Sequence, residues 1–437
     1  MHKVCLIGSG GREHALAWKL AASGHVDKVY CIPGNGGTPN NIDLNINDFP
    51  KIADFVKEKK IDLVVVGPED PLTKGIVDFL SSRNIKVFGP KKSAAVLEGS
   101  KAFSKEFMRR YSIPTADFEV TQDPKHANML CAEYIENYGG VVIKADGLAA
   151  GKGVFVCKEF KEAQNAIIRI MEDREFGAAG DTVVIEEMLK GKEASIIAFC
   201  DGKTVRPLAA SQDHKRALDG DKGPNTGGMG VCAPNPTVAK LSHHIMNEIF
   251  IPTLEGMARE DREYRGILYA GLMITDQGPK VLEYNVRFGD PETQAILPLL
   301  ETDLYEIMMA SIEGRLSEME VKSSGNAACC VVMTSKGYPG TYKKGFKIKG
   351  LEKACSLKDT AVFHAGTKKS NKDILTNGGR VLCVTATDKN LECAVNRAYL
   401  GVGMIDFQDK YYRTDIGKKW TKRRAAEIKC GVVLKDK

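Results

Sequence analysis

The chain has 437 residues, 43% of them apolar and 27% charged, with a formal charge of +6. That length asks for about two to four domains of ordinary globular composition, and no run approaches the roughly 18 apolar residues of a membrane span. Twelve scattered cysteines without a C-x-x-C pair predict reduced, mostly buried thiols and a cytoplasmic setting, not disulfides or zinc.

The apolar run from Val4 to Ile7 follows Met1 closely and is too short for a secretion signal. Runs at 4–7, 29–32, 63–66 and 87–88 read as strands, and 13–22, 52–59 and 75–82 as helices. This alternation predicts a parallel sheet with right-handed crossovers, a Rossmann-like domain over about residues 1–100. Its strand ends carry Gly8-Ser-Gly-Gly-Arg-Glu-His14, Pro33-Gly-Asn-Gly-Gly-Thr38 and Gly67-Pro-Glu-Asp70, where ligands bind in open α/β sheets. Gly8, Gly10 and Gly11 superficially match a dinucleotide fingerprint, but its third glycine would fall at Glu13. A phosphate at the following helix N-terminus and a plain turn both fit.

A helix at 101–110 comes next, then Pro114 and Pro124, then strand-like runs alternating with helices to about 200. The stretch 211–232 is glycine-rich and polar and reads as a long loop with little secondary structure, a type that is usually functional. Strands at 268–274 and 280–283 and helices at 291–300 and 304–313 complete a central region over about 101–315. A boundary at 317–324 and strands at 327–333, 362–365 and 380–385 predict a smaller mixed domain over 316–437. The basic cluster of Lys418, Lys419, Lys422, Arg423 and Arg424 has little aromatic interleaving. It reads as a solvated helix end in preference to a nucleic-acid patch.

Chemistry concentrates in three stretches. The first is Lys144-Ala-Asp-Gly-Leu-Ala-Ala-Gly-Lys-Gly153, set between Val141-Val-Ile143 and Val154-Phe-Val156. It reads as a hairpin lid. Gly147, Gly151 and Gly153 let main-chain N–H groups approach an anion, and Lys144 and Lys152 add positive charge, which suits nucleotide phosphates. A tight turn that needs glycines is the alternative. In the second stretch, strand alternation puts Glu283, Asn285 and Arg287 on one face. A carboxylate, an amide oxygen and a guanidinium suit magnesium and a phosphoryl group; a charged surface strand is the alternative. The third stretch is the polar loop, where Asp213, His214 and Lys215 look like readers of a small charged substrate. Adjacent Asp and His side chains diverge, so no acid/base dyad is expected.

These segments in order resemble the ATP-grasp superfamily, and within it the glycinamide ribonucleotide synthetases. The matching runs are GGREHALAWK from Gly10, PGNGGT from Pro33, GPEDPL from Gly67, LEGSKAFSK from Leu97, KADGLAAGKG, SQDHKR and GPNTGGMG from Gly223. They continue with EYNVRFGDPETQ, SKGYPG from Ser335, FHAGT from Phe363 and NGGRVLCVTA from Asn377, covering nearly the whole chain. The resemblance implies an α/β architecture: a Rossmann-like N-terminal domain, an ATP-grasp core with a lid subdomain at about 115–190, and a small mixed C-terminal domain. It also implies an ATP-dependent carbon–nitrogen ligase of purine biosynthesis. Glycine and 5-phosphoribosylamine would be joined through a glycyl phosphate, with ATP and Mg²⁺ or Mn²⁺ as cofactors. Small-molecule partners, no nucleic acid or membrane, and a monomer are expected.

Carried onto this sequence, Lys101 and Lys144 would contact ATP phosphates under the 147–153 hairpin. Glu186, Glu187 and Leu189 would frame adenine, and Glu193 the ribose. Glu283 and Asn285 would hold the metal, with Arg287 facing the transferred phosphoryl. Gly10, Gly11, Glu69, Asp213, Lys215 and Asp290 would lie toward the two other substrates. Arg287, Lys144 and Asp213 are the candidates for acting on reacting atoms. The sequence departs from the pattern at Lys192, where an acidic residue is common, in a short 39–49 stretch, and at Gly271-Leu-Met-Ile274, which lacks the earlier metal carboxylate of many ATP-grasp enzymes. Rival readings are an ATP-grasp ligase with another acid and amine, a nicotinamide-dependent oxidoreductase, and a nucleic-acid-binding protein. The last two leave the hairpin and the Glu283 face unexplained.

Overall fold

Four short runs rich in Val, Ile and Leu are apolar on both faces, as strands of a parallel sheet covered by helices must be. The structure, a computed structural model, describes residues 1–149 and 152–418. Within it His2–Gly8 and Leu63–Val66 lie at the centre of a four-stranded parallel sheet, flanked by Val26–Pro33 and Val87–Phe88. The helices Gly11–Ala21, Phe49–Lys59 and Ile76–Ser81 match the expected ones within a few residues. Two more, Glu69–Thr73 and Lys92–Gly99, were not expected. The first has 5 residues and the second 8, too short for an apolar stripe to stand out.

The next unit is an antiparallel sheet in the order Phe118–Thr121, Val183–Glu187, Val141–Ala145, Val154–Cys157. Two helices cover it, Pro124–Tyr138 and Phe160–Ile167. The first starts where the Asp123 carboxylate accepts from the Lys125 N–H and ends at Gly139, whose φ of 72° suits glycine. This sheet and its helices bury a core of their own around Leu130, Tyr134, Ile143, Ile167 and Ile185. The Val141–Cys157 hairpin has the antiparallel pairing expected of a lid, with Lys144 opposite Val154.

A second antiparallel sheet runs Val205–Pro207, Lys192–Asp201, Arg265–Thr275, Gly278–Asn285. It packs on the parallel sheet through cores that include Phe88, Phe199, Phe288 and Tyr269. The expected helix at 291–300 is the shorter Glu292–Ile296 followed by a tighter turn at Leu297–Leu299, and Leu304–Glu313 is as expected.

The 211–232 stretch corrects the sequence reading, because it is not a bare loop. Gln212–Asp213 pairs with Gly230–Ala233, and Arg216–Leu218 pairs with Lys222–Asn225. Gly230–Ala233 then pairs with Ala327–Ser335, joining the C-terminal sheet that continues through Arg380–Asp388 to Thr360–His364. Cys329 and Cys330 lie inside that sheet and, like Cys5, Cys31 and Cys200, are buried free thiols. Gly151 and the basic residues from Lys419 onward lie outside the described residues. Among the described residues no helix is long and apolar enough to cross a membrane.

Candidate active site

Lysine is rarely buried without an anion beside it. Lys144 and Lys105 are 6% and 2% exposed, and they share Glu186, itself 2% exposed. Lys144 Nζ lies 2.8 Å from Glu186 Oε1 and Lys105 Nζ 2.9 Å from Oε2. Lys144 also donates to the Leu282 carbonyl at 2.9 Å, and Lys105 to Thr115 Oγ1 at 2.7 Å. Burial pushes the Lys105 ammonium down to about 8 against the pull of Glu186. The two lysines overcome the burial of Glu186 and hold its carboxyl below the usual range. A small cavity opens beside this cluster, bounded by Leu97, Met108, Lys101, Glu283 and Tyr284. Lys101 reaches Glu283 at 3.5 Å.

The glycine-rich loop continues from the strand bearing Lys144. Gly147 has φ +135°, and a Cβ there would lie 2.9 Å from the Ala179 Cβ. At Gly153 an added Cβ would lie 2.6 Å from that of Ala149. Asp146 ties the loop's base to the nearby helix, accepting from Ser100 Oγ at 2.9 Å and from the Ala102 N–H at 3.1 Å. Beyond the Val183–Glu187 strand, Glu187 takes Lys280 at 3.0 Å and the Asp117 N–H at 3.2 Å, and Leu189 is half-buried. Glu193 pairs with Lys215 at 3.1 Å.

Glu283 and Asn285 end the strand Gly278–Asn285 two residues apart, hence on one face. Burial opposes ionisation of Glu283, but Lys101, Lys215, Lys144 and Arg287 outweigh it and bring its carboxyl down to about 2. Arg287 lies past the strand end, and its donors are already engaged. Nη2 donates to Asn285 Oδ1 at 2.9 Å, Nε to Glu69 at 3.2 Å, and Nη2 lies 3.0 Å from Glu98. The guanidinium thus orients the Asn285 amide oxygen. Glu283 and Asn285 offer two hard oxygen donors, and no cluster of three or more His, Cys, Asp or Glu side chains suited to a metal occurs among the described residues. Magnesium fits such a pair, because it takes one or two protein carboxylate-type ligands and completes its shell with water and phosphate.

At the parallel sheet's edge, Glu13 Oε2 accepts from the Gly10 N–H at 2.5 Å and Asp290 Oδ2 from the Arg12 N–H at 3.3 Å. Two carboxylates therefore cap this helix start, which favours the turn reading of the Gly10–Gly11 loop over a phosphate held on those N–H groups. Asp290 also meets Arg380 at 3.3 Å and Gln294 Nε2 at 2.8 Å. Asp213 Oδ1 is buried without a hydrogen-bond partner. Lys105, Glu98, Glu292 and Arg380 join the site without having been singled out from sequence. Lys105 alone had a signal, standing four residues after Lys101 on one helix face.

A hairpin sheet presenting Lys144 meets, at one cavity, the oxygen donor Glu283 of a second antiparallel sheet, and the fold is of the ATP-grasp class. Residues 2–98, 99–293 and 328–419 match the phosphoribosylglycinamide synthetase N domain, ATP-grasp (A) domain and C domain. The chain belongs to the phosphoribosylglycinamide synthetase family. It is 51% identical over 424 residues to the trifunctional purine biosynthetic protein adenosine-3 of Gallus gallus, covering 95% of this chain and 42% of that one. The chain thus spans less than half the length of that relative. It is 46% identical to the phosphoribosylamine–glycine ligase of Caldanaerobacter subterraneus subsp. tengcongensis, over 95% of this chain and 99% of the other. The crystal structure of phosphoribosylamine–glycine ligase from Thermotoga maritima superposes with a TM-score of 0.80 at 36% identity, covering 95% and 100% of the two chains.

Proposed function

We propose that this chain joins glycine to 5-phosphoribosylamine at the expense of ATP, giving glycinamide ribonucleotide, ADP and phosphate. The observation that carries this reading is the Lys144–Glu186–Lys105 cluster beside Glu283, set within residues 99–293, which match the family's ATP-grasp domain. In the first step a glycine carboxylate oxygen attacks the γ-phosphorus and the bond to the β,γ-bridging oxygen breaks, releasing ADP. In the second the neutral sugar amine attacks the acyl carbon, phosphate departs with the C–O electrons, and the nitrogen loses a proton. No protein nucleophile is needed. Catalysis is positioning, charge stabilisation and exclusion of water from the acyl phosphate.

The residue roles follow the same reading. Lys101, Lys144 and Lys105 neutralise the phosphates beneath the loop of Gly147 and Gly153. The 186–189 segment frames adenine, with Glu186 acting as anchor of the two lysines, and Glu193 meets the ribose. Glu283 and Asn285 hold Mg²⁺ or Mn²⁺, which supplies Lewis-acid charge to the phosphates when bound. Arg287 holds Asn285 in place and stands next to the phosphoryl path. Glu69, Asp213, Lys215, Asp290 and the Gly10–Gly11 loop line the side toward the sugar and glycine. The buried free thiols support a cytoplasmic setting, although Cys393 is disulfide-bonded, which corrects the expectation of cysteines without disulfides.

The test is ADP release from Mg·ATP with glycine and freshly generated phosphoribosylamine, added singly and together. Release that requires both, with glycinamide ribonucleotide detected by mass spectrometry, is expected. Turnover with another acid and amine but not with glycine would replace the substrate and keep the ATP-grasp class. Glu283→Ala is expected to cut turnover by about a hundredfold or more while far-UV circular dichroism stays that of the parent. Near-normal turnover with unchanged Mg²⁺ dependence would remove the metal assignment.

A further inference from the structure

Past the lysine cluster the cleft carries a second polar group that the phosphate and metal roles leave unused. Ser195 and Tyr269 stand on adjacent antiparallel strands with their hydroxyls 2.8 Å apart. Both reach one oxygen of Glu292, Tyr269 Oη at 3.0 Å and Ser195 Oγ at 3.3 Å. All three side chains are 4% exposed. Two hydroxyls on Oε1 fix the carboxylate plane and turn Oε2 the other way. Nearby is Asp213, whose Oδ1 is buried without a donor.

The charges around Asp213 limit what can meet that oxygen. Burial, then the neighbouring charge of Glu292, push the Asp213 carboxyl well up, against the pull of Lys215 and Arg380. Yet Lys215 is paired with Glu193 at 3.1 Å and Arg380 with Asp290 at 3.3 Å, so neither supplies the missing hydrogen bond. Two buried acids acting on one another, one with an orphaned oxygen, are relieved by a cation carrying several N–H donors. Backbone closes in on both. A Cβ at Gly228 would lie 2.7 Å from Asp213 Oδ1, and one at Gly289 would lie 2.4 Å from Glu292 Oε2. A cationic group serving both acids must therefore be small.

We infer that Asp213 and Glu292 together hold the ammonium of the amino-acid substrate, and that Tyr269 and Ser195 are positioning residues that aim Glu292 at it. The assignment rests on the ligase reading and deepens it, naming which end of glycine is read and by what. Lys215 supports it from the other side. It is ion-paired with Glu193 at 3.1 Å, and its charge also acts on Glu283 and Asp213. A zwitterion placed with its ammonium on Asp213 and Glu292 turns its carboxylate toward Lys215 and the phosphoryl donor. The attacking sugar amine is a poor occupant, because it must be neutral to react and an anionic pair would keep it protonated.

The test compares steady-state KM values for glycine, ATP and phosphoribosylamine in Asp213→Asn, Glu292→Gln and Tyr269→Phe, with thermal unfolding to establish that each variant folds. Asp213→Asn and Glu292→Gln are expected to raise the glycine KM roughly thirty- to hundredfold, as for loss of one partner of a buried charge pair. The KM for ATP and for phosphoribosylamine should stay at the parent values. Tyr269→Phe keeps the ring and loses only the aiming hydroxyl. It should raise the glycine KM with kcat little changed, and it keeps the test decisive if Glu292→Gln does not fold. An unchanged glycine KM in folded variants would overturn the assignment, and a rise in the phosphoribosylamine KM instead would give the acid pair to the sugar amine. No glycine-dependent ADP release from the parent protein would remove the ligase reading itself, a result distinct from either.

Discussion

A single carboxylate, Glu186, is the shared partner of two ammonium groups that water barely reaches. Its loss differs in kind from loss of either lysine. Glu186→Gln strands two buried cations, and breaking buried pairs in this way costs about 3–5 kcal/mol. Lys105→Met leaves Glu186 its bond to Lys144, so the carboxylate stays compensated and the cost should be smaller. Urea unfolding of both variants checks the order, and equal or reversed losses would show that Glu186 is not the shared anchor. Glu69 offers a second test through pH. Burial opposes its ionisation, but Arg287 and Arg12 prevail and bring its carboxyl from the usual 4.5 down to about 2. A depressed folded value means that the unfolded chain binds the proton first as pH falls. The stabilisation is therefore complete above about 4.5 and is lost toward about 2. Glu69→Gln should flatten part of the acid loss of urea stability measured from pH 5.5 to 3.5, and an unchanged slope would contradict the Arg287 pairing.

At the scale of elements, the hairpin Val141–Cys157 joins a subdomain with its own core to the rest of the cleft. A change in its loop should therefore act on nucleotide binding more than on the global fold. Gly153→Val puts side-chain atoms where even a Cβ would lie 2.6 Å from Ala149, overpacking of a kind that costs about 1–3 kcal/mol. The expected result is an ATP KM raised about tenfold, with the glycine KM unchanged and a modest drop in Tm. An unaltered ATP KM would separate the loop from the phosphates. Both halves of this element were legible, because strand alternation and glycine spacing act locally. So was the pairing of Glu283 with Asn285, which needs only a period of two. Lys105 was not, since a lysine on a helix reads as solvent-facing until Glu186, 81 positions further on, is folded against it. The 211–232 stretch hid its strands for the same reason. Gly230–Ala233 finds its partner only at Ala327–Ser335.

Across the whole molecule the N-terminal and C-terminal layers meet at the PGNGGT and FHAGT segments, which no nucleotide role accounts for. Asn35, 7% exposed, sends one amide group to the Ser9 carbonyl at 2.9 Å, to that of Gly10 at 3.3 Å and to that of His364 at 2.8 Å. His14 Nδ1 accepts from the His364 N–H at 2.7 Å, and burial followed by the neighbouring His364 drives its ring down to about 3. The ring therefore stays neutral and keeps its acceptor throughout the physiological range. Thr367 closes the junction by accepting from the Gly36 N–H at 3.2 Å. One amide thus sets the Ser9–Gly10 loop, on the side assigned to the sugar, against a strand end more than 300 residues away. Asn35→Ala leaves buried carbonyls without their donor, at a cost of about 1–3 kcal/mol. If the junction positions the sugar side, this variant should raise the phosphoribosylamine KM while the ATP and glycine values hold, and Asn35→Asp, which keeps the shape but not the donor, should not restore it. A fall in Tm with all three KM values unchanged would make the junction a fastening alone and leave the Gly10 loop positioned by Glu13 and Asp290.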